Sequence, residues 1–78
     1  MSPDEARAIV ADALHQVAPE IDIEAVERDA DFRDTVELDS LDFLNFVEIL
    51  SERTGRRIEE DDYPDLATFD SCVKFLSR

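Results

Sequence analysis

The most constraining feature of this sequence is a stripe of apolar residues near its start. Ala6, Ile9, Val10, Ala13, Leu14 and Val17 recur at i, i+3, i+4 and i+7 spacing, so the segment folds as a helix with one face against a core. Ser2 and Glu5 stand at capping-box separation, Pro3 suits the first helical position, and Asp4 and Glu5 place acids in the first turn. The spacing predicts a helix over 2–17, stopped by Pro19. A second helix is predicted to open at Asp39, whose carboxylate can cap, with Asp42 at its third position, and to run to about Thr54 before Gly55 ends it. Leu41, Phe43, Leu44, Phe46, Val47, Ile49 and Leu50 make it apolar on more than one face, so part of that surface is core and the rest faces a ligand or partner.

Between these helices, residues 18–39 follow neither helical nor strand periodicity. Ile21, Ile23, Val26, Phe32, Val36 and Leu38 nevertheless pin the segment to the core. An ordered, wrapped connection is expected, with a short helical turn near Asp31 to Val36. Glu59 to Tyr63 are expected to form only a brief helix, because Pro64 interrupts it and four successive acids repel one another. Thr68 then caps a last helix in which Phe69, Cys72, Val73 and Leu76 share a face, with Lys74 and Arg78 near its C-terminal end. The fold class is all-α: a small four-helix bundle with a long first loop and a short third helix, occupying residues 1–78 as one domain.

Size and charge exclude several functions. A chain of 78 residues buries only roughly 60% of its unfolded surface, which leaves one thin core and little interior to spare for an enclosed active site, so the chain is not expected to be an enzyme. Twenty-one acids against 8 bases give a net charge of −13, which disfavours nucleic acid and anionic membranes and favours basic protein surfaces. No apolar run approaches the roughly 18 residues of a membrane span, the first residues lack the layout of a signal peptide, and the one cysteine, Cys72, has no internal partner. A cytoplasmic, monomeric protein without membrane insertion is expected. Cys72 is read as a buried small hydrophobe and His15 as a surface residue. No cysteine or histidine pairing offers a zinc site, and no other metal site is expected.

The segment Leu38-Asp39-Ser40-Leu41-Asp42-Phe43-Leu44 resembles the Asp-Ser-Leu signature of the acyl carrier protein family. Its setting is similar too: an acidic first helix, a long loop with Phe32 eight residues before the serine, Ile58, and Leu66-Ala67-Thr68-Phe69 leading into the last helix. The resemblance implies that Ser40 receives 4′-phosphopantetheine from coenzyme A through a separate, metal-dependent phosphopantetheinyl transferase. The arm's thiol then carries acyl intermediates as thioesters between enzymes of fatty acid, lipid or polyketide-type biosynthesis. A serine opening a helix is exposed, and the amides there favour a phosphodiester. No Gly-x-Ser-x-Gly elbow and no nearby histidine make Ser40 a nucleophile in its own right.

The resemblance further implies that Asp39, Asp42, Glu48, Glu52, Glu60 and Asp61, with Leu41 and Ile58 as apolar contacts, meet basic docking surfaces on the transferase and on acyl-processing enzymes. It implies that Phe32, Phe46, Val47, Leu50, Ile58, Leu66 and Phe69 line a site for the acyl chain. Several residues depart from the common fatty-acid carriers: Glu37 in place of a glycine, Phe43 at a position often polar, Asn45 for an acid, Glu48 for an apolar residue, and Arg53, Arg56 and Arg57 where acids are frequent. These imply a specialised pathway. The alternative is an acidic divalent-cation-binding or interaction protein without a prosthetic group, since Asp29, Asp31 and Asp34 are closely spaced. That loop lacks the EF-hand glycine, with Asp34 at position six, and the bidentate glutamate, with Ser40 at position twelve.

Overall fold

Local capping chemistry defines each helix of the structure, a computed structural model that describes residues 1–36 and 38–78; Glu37, the departure preceding the motif, lies outside the described residues. Helix α1 runs Pro3–Val17, its first turn held by the Glu5 N–H donating to Ser2 Oγ at 3.2 Å. After a 3-10 turn at Ile23–Ala25 comes the one-turn helix α2, Phe32–Thr35, capped by Asp31. Helix α3 spans Ser40–Thr54; Asp39 Oδ1 accepts from the Asp42 N–H at 2.8 Å. Gly55 ends it with φ of 67°, the left-handed conformation that glycine adopts at no steric cost. Helix α4, Phe69–Ser77, opens with a reciprocal box in which Thr68 Oγ1 accepts from the Ser71 N–H and Ser71 Oγ from the Thr68 N–H.

The expected all-α bundle is therefore what the chain forms, with two refinements. The 3-10 turn at Ile23–Ala25 lies inside the connection read as non-helical. The third helix is a 3-10 helix, Glu60–Leu66, that passes through Pro64 rather than stopping before it. Proline's fixed φ suits a helical turn, and in so short a segment it forgoes only one backbone hydrogen bond. The start of the 3-10 helix is fixed by Asp62 Oδ2 accepting from the Glu59 N–H at 3.1 Å and by the Asp62 N–H donating to Glu59 O at 2.9 Å.

Helix α1 packs against α3 and α4. Their shared core holds Val10, Leu14, Phe32, Phe46, Leu50, Leu66, Cys72 and Leu76, all essentially without exposure. Phe75, which sequence periodicity left off the α4 stripe, is buried as well, because the Arg56 and Arg78 guanidinium groups cover its ring at 5.4 and 5.0 Å. Two backbone bonds tie the long connection to the far end of the chain: the Phe32 N–H donates to Ala67 O at 2.8 Å and the Asp70 N–H to Arg28 O at 2.9 Å.

Phe46→Ala deletes a fully buried ring that packs edge to face on Phe32. It is expected to destabilise the fold by about 3–5 kcal/mol, read as a lower midpoint in urea unfolding followed by circular dichroism. Gly55→Ala meets no neighbouring atom within 4 Å, so its cost is the backbone conformation alone, about 1–2 kcal/mol in the same assay.

Candidate functional site

Asp39 determines where Ser40 sits. Its carboxylate and its carbonyl accept from the Asp42 and Phe43 amides, which starts the helix at the next residue and leaves Ser40 as the first helical position. Ser40 is exposed, and among the described residues its hydroxyl has no hydrogen-bond partner. Leu41 and Leu44 beside it are also exposed, at 66% and 47%, so two large apolar side chains of α3 face solvent next to the hydroxyl.

Ser40 opens onto a cleft of about 820 Å³. Phe32 and Leu38 contribute one wall, Phe43 and Leu44 of α3 another, and Tyr63, Pro64 and Ala67 a third; Asp31, Arg33 and Asp39 are its charged members. Asp31 holds the first wall in place. Its Oδ1 accepts from the Arg33 backbone N–H at 2.8 Å, and both carboxylate oxygens accept from the Arg33 guanidinium at 3.2 Å. The side-chain bond from Arg33, then its backbone N–H, holds the Asp31 carboxyl below the usual carboxylate value.

Of the residues expected to line an acyl site, only Phe32 reaches this cleft. Phe46, Val47, Leu50, Leu66 and Phe69 lie in the core, and Ile58 is half-buried against it. Phe43, Leu44, Tyr63, Pro64 and Ala67 border the cleft. Phe43 carried a signal in the sequence as an aromatic at an often polar position. Tyr63 carried none beyond its place before Pro64.

The acids expected to meet partners fall into two groups. Leu41, Asn45, Glu48 and Glu52 recur at i, i+4, i+7 and i+11 and are all exposed, so they share one face of α3. Asp42, Asn45, Glu48 and Glu52 also border a groove of about 410 Å³ with Gln16, Val17 and Ile49. Glu60 and Asp61 are exposed on the 3-10 helix. The departures at Arg53, Arg56 and Arg57 do not build a free basic surface: Arg53 pairs with Asp12, Arg57 with Glu59 at 3.2 Å, and Arg56 donates to the Phe75 and Arg78 carbonyls.

Cys72 is buried, and burial pushes its thiol far up from the ordinary value; His15 is exposed. Asp29, Asp31 and Asp34 do not converge, and among the described residues no three or more metal-ligating side chains come together. Among the same residues no helix is long and apolar enough to cross a membrane.

Residues 4–76 match the family described as "Phosphopantetheine attachment site". The chain is also similar to proteins named "Acyl carrier protein" from Chlamydia trachomatis serovars L2, D and A. Each is 33% identical over 75 residues, covering 96% of this chain and 91% of the relative.

Asp31→Asn keeps a capping oxygen but removes the charge. A carboxyl whose native pKa lies below its unfolded value stabilises the fold above the unfolded pKa, near 3.8, and that contribution disappears as pH falls through the native value. The variant is therefore expected to be less stable than wild type at pH 7, with the gap closing below pH 3.8, as followed by urea unfolding across pH.

Proposed function

Because the chain belongs to the phosphopantetheine-attachment family and is an acyl carrier, not an enzyme, we propose that Ser40 is the residue that bears the 4′-phosphopantetheine arm. The observation that carries this is an exposed hydroxyl at the first position of α3, opening onto the cleft. The residues present fit the group. An uncovered oxygen is within reach of an external transferase and the apolar cleft walls suit the cargo end, while Asp39 and Asp42, whose charge repels a phosphate, are left to dock partners. Once attached, the arm supplies a thiol that holds acyl groups as thioesters, in fatty acid, lipid or polyketide-type biosynthesis.

The chain's own residues present that oxygen and guide encounter. Asp39 is bound to the amides of α3, so its second role as a docking charge is exercised from a fixed position. Asp42, Glu48 and Glu52 on α3, and Glu60 and Asp61 beyond it, offer negative charge to basic surfaces on the transferase and on acyl-processing enzymes; Leu41 and Ile58 add apolar contact. Charge of this kind accelerates and selects encounters more than it tightens them. Modest affinity suffices, because a tethered cargo meets the enzyme's site intramolecularly once the carrier has docked. The proposed unit is residues 1–78, working as a monomer in the cytoplasm. Its only thiol, Cys72, is buried and protonated, a state that suits a reducing compartment.

Incubation with coenzyme A, magnesium and a broad-range phosphopantetheinyl transferase is expected to add one phosphopantetheine mass to wild type and none to Ser40→Ala, by intact-mass spectrometry. An unchanged wild type, or a modified Ser40→Ala, contradicts the assignment. The double variant Glu48→Lys, Glu52→Lys is expected to load roughly 3–10-fold more slowly at low salt, with the difference shrinking in added salt and the circular dichroism spectrum unchanged.

A further inference from the structure

The cleft beside Ser40 adjoins the core at a run of aromatic rings. Tyr63 meets Phe43 edge to face, with centroids 5.4 Å apart and planes at 81°. Phe43 in turn meets Phe46 at 6.4 Å, and Phe46 meets Phe32 edge to face at 5.5 Å. Phe43, Tyr63 and Phe32 border the cleft, whereas Phe46 does not. Behind the rings, Phe46, Leu50 and Leu66 are 0% exposed. An apolar group entering from the Ser40 side therefore meets the Phe32, Phe43 and Tyr63 rings before the fully buried residues.

Accepting Ser40 as the attachment residue, we infer that the Phe43–Tyr63 pair confines the cargo to the surface cleft, so that this carrier shelters short or aromatic acyl groups and leaves the far end of a long alkyl chain in water. The cleft is continuous with the attachment hydroxyl, since Ser40 itself borders it, so a group carried there reaches it without crossing the core. Its half-buried rings present edges and faces that match an aryl group better than a linear chain. A methylene contributes only while something covers it; past the ring pair, nothing does.

The test attaches butanoyl-, benzoyl-, octanoyl- and dodecanoyl-phosphopantetheine to Ser40 from the corresponding acyl-coenzyme A with a broad-range transferase, adenosine 3′,5′-bisphosphate leaving and the acyl group staying on the arm's thiol. Loading is read by intact mass, shelter by the thermal midpoint relative to the unacylated arm-bearing form, and depth by NOEs from the acyl chain to protein methyls and aromatic ring protons. In wild type, benzoyl is expected to raise the midpoint by roughly 2–8 °C, dodecanoyl to give no more than octanoyl, and chain contacts to reach Phe43 and Tyr63 but not Leu50 or Leu66. Phe43→Ala is expected to remove that plateau and bring Leu50 and Leu66 into contact with the long chain. The milder Phe43→Leu and Tyr63→Ala test the same point should Phe43→Ala not fold. A wild-type midpoint that keeps climbing from octanoyl to dodecanoyl, with contacts to Leu50 and Leu66, overturns the inference while leaving Ser40 in place, and so does a plateau that survives in the variants. Absence of any mass gain on wild type overturns the Ser40 assignment itself and the inference with it.

Discussion

Phe32 joins the parts of the molecule that a short chain has most difficulty keeping together. Its amide donates to Ala67 at the approach to α4, and its ring packs edge to face on Phe46 in the middle of α3. One residue of the long connection thus grips both of the later helices. The Asp70 amide closes a second bond to Arg28 in the same connection. Without these ties residues 18–39 would be a loop whose closure entropy opposes folding, and the cleft would lack the wall that faces Tyr63 and Pro64. The placement of Ser40 rests on this frame as much as on the Asp39 cap, because the cap specifies where α3 begins but not what lies opposite it.

The distribution of charge follows a related economy. Five arginines are held by acids of the same chain: Arg7 by Asp4, Arg33 by Asp31, Arg53 by Asp12, Arg57 by Glu59 and Arg78 by Asp65. Arg56 is turned onto backbone carbonyls at the end of α4 and onto the Phe75 ring. Pairs as exposed as these contribute little stability individually. Their effect is to neutralise the basic side chains locally and leave the acids of α3 and the 3-10 helix unopposed. Arg53 in the last turn of α3 and Arg56 and Arg57 after it therefore modify the field around that helix without presenting a competing basic patch.

Much of the fold was legible because its helices are announced by residues that act locally. Ser2, Asp39 and Thr68 cap, Pro3 opens and Gly55 closes, and each does so through one or two bonds within four residues of itself. Ser40 was legible for the same reason, since its exposure follows from its position relative to Asp39. What remained hidden depends on contacts distant in sequence. Pro64 costs a short 3-10 helix only one backbone hydrogen bond, and nothing nearby in the sequence shows that the turn is 3-10. Phe75 is buried by arginines that arrive from both directions. Phe43 and Tyr63 are twenty residues apart, and their pairing follows from the path of the chain after Gly55, so no local pattern could separate cleft from core.

That separation has a thermodynamic basis. A domain of this size has a net stability of a few kcal/mol, and a single buried phenylalanine accounts for about as much as the whole margin. Parting the core to admit a guest exposes such contacts at one stage and must recover them at another, so a core of this size tolerates the exchange poorly. A cleft bordered by half-buried rings avoids it: Phe43 and Tyr63 are already partly exposed, and covering them removes apolar surface from water without disturbing Phe46, Leu50 or Leu66. The proposed confinement of cargo to the cleft leaves those core contacts, and the stability that rests on them, in place.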